Sequence, residues 1–476
     1  MTEGALGQIA KKELREITRD GRFTIVAAAT LLLLVAALAF GLRQSAAVRA
    51  ERAAAQASAD EHFREQDDKN PHVAAHYGTY VFKPSGALTF VDPGVEPFVG
   101  SSVKLEAHRR NALEGARAQD STSIARVGRL SVAAVLQLLV PLLVIGLGFS
   151  AWTSERERGT LRMLAASGVR PGVLFGGKVL GLAAALAGVL VPAALVIVGA
   201  AMLGGVGHAP APRALSIAAA YAAYFGVFVA LALGVSARSR SSRGALVALL
   251  GLWVVWSLAM PRAVLDVAAL ASPVPGSSEV QRAVAHSLER GLPGGAPREA
   301  RVEAITEAML EEQGFAGAET LMDPALLGAV ELQAEARYES EVIDFHFAEW
   351  ERQKARQERV AAWLGALAPP VAMRSLSSAL AGTDEAHHRH FADAAEAHRR
   401  AFVDMLNREI AEHAGEDVWA YRAGRETWAR APAFRYEPPP LGWALSSQGV
   451  NAGSLLLWLV FASAFAWWSG KRVRVV

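Results

Sequence analysis

Apolar residues are gathered into six stretches of the chain, and each is long enough to cross a bilayer as a helix. Such a helix needs about 20 apolar residues. The stretches cover residues 23–42, 128–151, 173–203, 214–235, 244–260 and 453–469. The third contains Pro192, and we expect the fifth to end at Pro261, because proline interrupts helical hydrogen bonding. The pattern predicts an all-α polytopic membrane protein with six transmembrane helices.

Lysine and arginine are concentrated in four of the polar segments that flank these stretches. They are Lys11, Lys12, Arg15, Arg19 and Arg22 before the first stretch, Arg156, Arg158, Arg162 and Arg170 after the second, Arg238, Arg240 and Arg243 after the fourth, and Lys471, Arg472 and Arg474 after the sixth. Six spans place all four segments on one side, and the positive-inside rule makes that side cytoplasmic. We therefore predict cytoplasmic termini, residues 1–22 and 470–476, in a bacterial inner membrane. The polar segment before the first stretch argues against a cleaved signal peptide.

Two long segments, residues 43–127 and 262–452, are then predicted to lie outside the cell membrane. The first is expected to begin as a helix over 44–65, to become irregular around Asp92-Pro93-Gly94, and to resume as a helix from about Val103. The second is rich in helix-favouring residues. We expect one long helix or two joined helices over 325–360, and a further helix that is capped by Thr383 or Asp384 and ends near residue 414. This second segment is predicted to form a mainly helical extracytoplasmic domain.

Composition narrows the possible functions further. Hydrophobic residues make up 52% of the 476 positions, and the mean hydropathy is +0.23, which is high for a soluble protein. The net charge of +2 provides no basic field for nucleic acid. The chain has no cysteine, so disulfides, thiolate metal sites and cysteine nucleophiles are excluded.

The loop between the second and third stretches, residues 152–172, carries a short charged segment with an apolar edge. Residues 154–167 read SERERGTLRMLAAS. Ser154 and Glu157 have the spacing of a capping box, which predicts a helix start, and Gly159 weakens the helix in its middle. The apolar edge, formed by Leu161, Met163 and Leu164, suits docking into a groove of a soluble partner. The alternative is a solvated loop whose charges only obey the positive-inside rule.

The N-terminal segment over residues 6–20 is predicted to form an amphipathic helix at the membrane surface. Its apolar residues fall at helical spacing on one face, with lysine and arginine opposite. These residues are Leu6, Ile9, Ala10, Leu14 and Ile17.

These features resemble the type-2 ATP-binding-cassette permeases over essentially the whole chain. The resemblance is carried by Glu155-Arg156-Glu157-Arg158-Gly159-Thr160-Leu161, by Gly177-Lys178, and by the amphipathic N-terminal helix, which is similar to the family's connecting helix. It implies that residues Glu155 to Leu161, together with Leu164, couple the chain to an ATPase subunit. ATP and Mg²⁺ would be bound by that subunit, and a second copy or a similar permease would complete the transporter, which the resemblance suggests is an exporter.

The two enlarged outer loops resemble a subfamily of bacterial permeases and, more distantly, those of gliding-motility and nitrous-oxide-reductase maturation transporters. The shared loop residues, of unknown role, are Asp92, Pro93, Gly94, Glu106, His108, Gly382, Thr383 and Asp384.

Two further motifs do not point to chemistry in this chain. Gly172 to Lys178 has the glycine and lysine spacing of a phosphate-binding loop, but Val179 replaces its magnesium ligand and the match runs into a membrane stretch. We therefore expect no ATP hydrolysis and no catalytic residue here. His387, His388, His390 and His398 are interspersed with arginine, which predicts a solvated helix rather than a metal site.

The membrane stretches contain almost no ionisable residues. Lys178 is the exception, and we expect it to snorkel to the cytoplasmic edge. The lack of buried acids argues against a proton- or sodium-coupled carrier and leaves an apolar path that suits amphipathic or lipid-like cargo. Two alternatives to a permease remain at this point. One is a mechanotransmission subunit that passes ATP-driven motion to a periplasmic partner, and the other is an anchor or sensor without an ATPase.

Overall fold

The computed structural model describes residues 2–119, 130–203, 210–312, 324–414 and 417–473. The predicted start of the second span at residue 128 and the last three residues of the chain lie outside these ranges. The first half contains α1 (Thr2–Arg19), α2 (Gly21–Arg64), α3 (Pro71–Tyr77), β1 (Thr79–Phe82), β2 (Ser102–Glu106), β3 (Arg109–Arg110), α4 in three consecutive segments (Val132–Ala134, Val135–Leu139 and Val140–Gly148), α5 (Thr153–Glu157), α6 (Thr160–Ala166), α7 (Pro171–Leu203) and α8 (Pro210–Arg238).

In the described residues of the second half, the regular elements are all helices. It contains α9 in three consecutive segments (Ser242–Val254, Val255–Ala259 and Met260–Ala271), α10 (Ser277–Arg290), α11 (Arg298–Glu312), α12 (Pro324–Gly365), α13 (Pro369–Ala381), α14 (Glu385–His413), α15 (Arg425–Arg430), α16 (Leu441–Ser447) and α17 (Gly449–Lys471). Among the described residues, α2, α4, α7, α8, α9 and α17 carry the six stretches that are long and apolar enough to cross a membrane. The chain is thus an all-α polytopic membrane protein.

Helix α8 lies at the centre of the membrane-spanning bundle, and α7 lies at its edge. In the most apolar part of α8, 67% of the residues are buried, against 11% in α7. Tyr224, Val227 and Phe228 of α8 are almost completely buried and belong to the largest apolar cluster of the described chain. The outward face of α7 is therefore available to lipid or to another membrane protein.

The predicted end of the fifth span at Pro261 is wrong, because α9 continues through this proline to Ala271. A π-helical turn, Val255–Ala259, lies immediately before it, and the Met260 amide donates to Val255 O. The wider turn shifts the hydrogen-bond register just where the proline lacks a donor, so the helix continues.

The predicted helix from Val103 is also wrong. Val103 lies in β2, the middle strand of a three-stranded antiparallel sheet in which it is the register partner of Val81. Val103 and Leu105 alternate with more exposed residues and pack against Phe391 of α14. This period of two is the signature of a half-buried strand.

Three predicted helices of the outer segments are present in the structure. The helix predicted for the start of the first segment is the continuation of α2, a single helix of 44 residues. The long helix of the second segment is the unbroken α12, with 42 residues. Helix α14 begins after Asp384, whose side chain accepts a hydrogen bond from the His387 amide, as expected for an N-cap.

The two ends of the bundle gather different parts of the chain. At one end, Ile9, Leu161, Ala237 and Val473 share an apolar cluster, so both terminal regions and the segments after α4 and α8 lie together. At the other end, the buried Arg213 of α8 donates to the carbonyl oxygens of Leu380 and Pro439. The segment after α9 is thereby fixed to the membrane-spanning helices.

Candidate functional site

Four charged side chains, three of them buried, form an ionic network where α1, α5 and α7 meet. The Lys178 ammonium lies 2.8 Å from Glu13 Oε1 and 3.0 Å from Glu155 Oε1, and the Lys12 ammonium lies 2.6 Å from the same Glu155 oxygen. We call Lys12, Glu13, Glu155 and Lys178 the charge network. Its formal charges cancel, and its members come from three separate helices. Since buried charges are retained only when they are paired, the network fixes these helices in one arrangement.

Lys178 does not snorkel to the membrane edge as expected. Its side chain is 1% exposed, and its ammonium lies 5.2 Å from the centre of the Trp152 ring, within the range of a cation–π contact. The Glu13 and Glu155 carboxylates stabilise the Lys178 ammonium in place of the water that would solvate it at the membrane edge. For Lys12, burial alone would lower the pKa, but the hydrogen bond to Glu155 and the neighbouring glutamates outweigh it and raise the pKa above its ordinary value.

Close packing of α1 against α7 makes this network possible, and it depends on two glycines. A Cβ atom at Gly177 would overlap the Ile9 side chain, and one at Gly181 would lie 2.5 Å from Glu13 Cβ. Glycines four residues apart lie on one helix face and allow a second helix to approach. The amphipathic α1 therefore binds the membrane-spanning α7 directly through its apolar face. Gly177 allows the close approach of the two helices, and Lys178 supplies the positive charge of the network.

Arg156 and Glu157, which follow Glu155 in loop 152–172, contact the ends of two further membrane-spanning helices, α8 and α9. The Arg156 guanidinium donates to the carbonyl oxygens of Ser239 and Ala237 at the end of α8. The Glu157 carboxylate accepts hydrogen bonds from the backbone N–H of Ser242, at 2.7 Å, and from its hydroxyl, at 2.9 Å, where α9 begins. A cation at a helix C-terminus and an anion at an N-terminus both bind unpaired backbone groups, and both interact favourably with the helix dipole. Consecutive residues 155, 156 and 157 thus contact α1, α7, α8 and α9.

The predicted capping box of Ser154 and Glu157 is not formed. Ser154 lies inside α5, which begins at Thr153 after Trp152 without a side-chain cap, and the Glu157 carboxylate caps α9 instead. Gly159 has a φ of +75°, so it separates α5 from α6 rather than only weakening one helix.

The apolar edge of this loop faces inward in part. Leu161 is 3% exposed and packs in the cluster of Ile9, Trp152 and Leu174, so the expectation that it inserts into a partner is wrong for this chain. Leu164 is half-buried beside the same cluster. Met163 instead projects outward with 72% of its surface exposed. Between Ser154 and Leu164, the exposed residues are Glu157, Arg158, Gly159, Thr160, Arg162 and Met163.

Comparison with known proteins decides which kind of protein carries this arrangement. Residues 8–473 match the ABC-2 family transporter proteins. The chain belongs to this family. It is therefore a membrane-spanning permease component of an ABC transporter, and ABC-2 permeases work with ABC ATPase subunits. No curated protein matches the sequence.

The outer-loop residues that the sequence analysis singled out fall into two places. The segment Asp92-Pro93-Gly94 contacts the segment Gly382-Thr383-Asp384. Thr383 donates through its hydroxyl to Asp92 O, and the Asp92 carboxylate accepts from the Ser377 hydroxyl at 2.5 Å and from the Gly94 amide at 3.0 Å. Gly94 has a φ of +49°, and a Cβ there would collide with Thr383. Burial raises the Asp92 pKa, while both hydrogen bonds to its carboxylate oppose the rise.

Pro93 and Gly382 complete this junction between the two outer segments. Asp384 caps α14, as described above, and Gly382 ends α13 in the left-handed conformation at φ +77°. The other two of these residues, Glu106 and His108, lie at the end of β2 and just after it. Glu106 ends β2 and accepts from the Asn111 amide at 2.9 Å, and His108 lies in the turn that follows.

The histidines of α14 are not exposed on a solvated helix, as the sequence suggested, but are buried or half-buried. His387 is buried and its Nδ1 lies 2.5 Å from Asp384 Oδ1, His390 contacts the Tyr436 hydroxyl, and the ring of His398 lies against Phe434.

Proposed function

We propose that this chain is the permease subunit of an ABC exporter in a bacterial inner membrane, driven by a separate ATPase that docks on loop 152–172. The observation that carries the proposal is the set of contacts made by residues 155, 156 and 157. A displacement of α5 is transmitted at once to α1, α7, α8 and α9, because each is joined to it by a charged hydrogen bond or an ion pair.

The docking surface is the exposed side of α5 and α6. Met163 is its apolar anchor, since methionine adapts well to irregular grooves, and Arg158 and Thr160 provide polar contacts beside it. Leu161 has a different task, because it holds α6 against α1 and α7. Closure of the ATPase dimer on binding ATP would then move α5 and α6 together and rearrange the spans as packed rigid elements.

An apolar cavity in the bundle supports a hydrophobic path for cargo. Its volume is about 730 Å³, and it lies among α7, α8 and α17. The polar side chains among its lining residues are Tyr221 and Ser463. A cavity of this size and character suits an amphipathic or lipid-like molecule. We place the second permease copy against the outward face of α7, whose residues Leu195 and Val196 are 68% and 58% exposed.

The docking surface is tested by co-purification with an ABC ATPase expressed together with the chain. Met163→Asp should lower the affinity by about 10- to 100-fold, because burial of such a side chain contributes roughly 1.5–3 kcal/mol. Phe345→Asp is the matched control, since Phe345 is 45% exposed on α12, away from the loop. Equal recovery of the ATPase with both variants would show that the partner does not bind here.

Transport is tested in inverted membrane vesicles that contain the chain and its ATPase. ATP should drive fluorescent amphipathic dyes into the vesicle lumen, and Glu155→Gln should reduce this uptake more than it reduces ATPase binding. ATP hydrolysis that depends on the chain but moves none of the dyes would contradict the transport function and favour mechanotransmission to a periplasmic partner.

A further inference from the structure

Three histidine rings converge in the region between α2 and α4, far along the chain from loop 152–172. His72 and His76 lie four residues apart on α3 and therefore on the same helix face. Their Nε2 atoms are 3.2 Å apart, and His108 Nε2 is also 3.2 Å from His72 Nε2. The three nitrogen atoms lie within 4.8 Å of one another. Three imidazole nitrogens aimed at one point are an arrangement that needs an explanation.

The backbone holds these rings in place from both sides. Asn70 caps α3 by accepting a hydrogen bond from the His72 amide, and the Ala107 amide donates to Ala75 O, which ties the end of β2 to α3. His108 has a φ of +63° and is the one non-glycine residue with positive φ in the described part of the chain. Such a backbone costs about 1–2 kcal/mol and is characteristic of functional sites. The turn therefore keeps a strained conformation that directs His108 toward α3.

Side chains outside the cluster determine which ring nitrogen of His72 and of His108 faces the other histidines. His108 Nδ1 lies 2.5 Å from Glu339 Oε1, and His72 Nδ1 lies 3.4 Å from Asn407 Oδ1. Each Nδ1 faces an oxygen acceptor, so the Nε2 atoms of both rings point inward, and each offers a lone pair when its ring is neutral. Two lone pairs that face each other at 3.2 Å repel unless a cation lies between them. Histidine ligands of metal ions have this same outer hydrogen bond to a carboxylate or carbonyl oxygen.

Two of the three nitrogen–nitrogen distances, 3.2 Å each, fit a transition metal ion, and the third pair lies within 4.8 Å. In a tetrahedral site with a metal–nitrogen distance of 2.0–2.1 Å, the ligand nitrogens are about 3.3 Å apart. We propose that His72, His76 and His108 bind a divalent transition ion of the zinc class, with Glu339 and Asn407 as the groups that orient two of the ligands. Imidazole nitrogen selects zinc, copper or nickel over magnesium and calcium, which prefer oxygen. The site is independent of the ATPase partner proposed above.

A cavity provides access for the ion and room for a fourth ligand. Its volume is about 380 Å³, and His72 and His108 lie in its wall together with Arg399 and Arg400. Three protein ligands with one open position are the pattern of zinc sites that bind water or a substrate.

A proton shared among the rings is the competing explanation for the short distances. Burial lowers the pKa of His72, although its hydrogen bond to Asn407 opposes this, and burial also lowers the pKa of His76, whereas the hydrogen bond to Glu339 raises the pKa of His108. A neutral imidazole is the form that binds metal. Metal binding competes with protonation and releases the proton, so zinc uptake that depends on the three histidines tests the metal site directly.

The test is calorimetric titration of Zn²⁺ into the full chain, purified in detergent through a tag that contains no histidine. We expect one high-affinity ion per chain, and cobalt in its place should give the visible absorption of a tetrahedral site. His76→Ala and His108→Asn should abolish this binding, and asparagine at position 108 tolerates the positive φ, which keeps the turn folded. Glu339→Gln should weaken binding by about 10- to 100-fold, because it disturbs an orienting group.

His398→Ala is the matched control, because this histidine is half-buried in the same outer region but contacts Phe434 instead of the cluster. It should bind zinc as the unsubstituted chain does, and Mg²⁺ should produce no heat with any variant. The proposal is overturned if the unsubstituted chain binds no zinc, or if His76→Ala and His108→Asn bind it as tightly as His398→Ala does.

Discussion

Removal of the Lys178 ammonium is the perturbation that probes the charge network most sharply. In Lys178→Met the network loses one of its two positive charges, while Glu13 and Glu155 remain buried with Lys12 as their common partner. Breaking a buried ion pair by removing one partner costs roughly 3–5 kcal/mol, because an uncompensated charge stays behind. We expect a loss of unfolding free energy in that range.

The double variant Lys178→Met with Glu155→Gln separates charge from packing. It removes one charge of each sign, so the remaining pair of Lys12 and Glu13 is again balanced. The destabilisation should be smaller than the sum of the two single effects, with an interaction energy of about 0.5–3 kcal/mol. The control is Arg301→Met, which breaks an exposed ion pair with Glu341 whose loss should cost about 0–1 kcal/mol.

The assay is unfolding of the purified chain in mixed micelles with increasing SDS, followed by tryptophan fluorescence. Trp152 reports on the network directly, since its ring lies beside the Lys178 ammonium. The reasoning is refuted if Lys178→Met destabilises the chain no more than Arg301→Met does. It is also refuted if the two single effects simply add in the double variant, because the charges would then act independently.

Three further predictions concern topology, activity and packing. A cysteine placed at Ala386 should react with an impermeant maleimide in intact spheroplasts, and reaction only after permeabilisation would reverse the proposed orientation. The purified chain alone should release no phosphate from ATP, because Val179 stands where a magnesium ligand would be needed; turnover that disappears in Lys178→Ala would contradict this. Gly181→Leu should force α1 away from α7, which faster proteolysis of α1 would reveal, whereas Gly188→Leu, with open space around its Cβ position, should not.

Six apolar stretches were predictable from the sequence because a membrane helix has a strong signal in length and composition alone. The boundaries were less certain where local rules compete. Pro261 is a helix breaker by its chemistry, but a π-helical turn accommodates it, and no simple pattern predicts such a turn. The strand at Val103 was missed although residues 102–106 alternate in polarity, because five residues are too few for that signal to stand out against a helical background.

The candidate sites depend on contacts between residues far apart in the chain, and those contacts are not visible in one sequence. The sequence motif and its position identified loop 152–172, but Glu155 pairs with Lys12, which precedes it by 143 residues. The apparent phosphate-binding lysine, Lys178, was read as an isolated charge for the same reason. His72, His76 and His108 gave a weak local signal, a pair four residues apart and a distant third, and the fold alone brings them together.

Binding of an ABC ATPase to the exposed side of α5 and α6 can be tested by site-specific cross-linking, which the absence of cysteine makes simple. A photoreactive maleimide on a cysteine at Met163 should form a covalent adduct with a co-expressed ABC ATPase, identified by mass spectrometry, and the same reagent at Phe345 should not. Adducts at Phe345 but not at Met163, or equal adducts at both, would contradict the account.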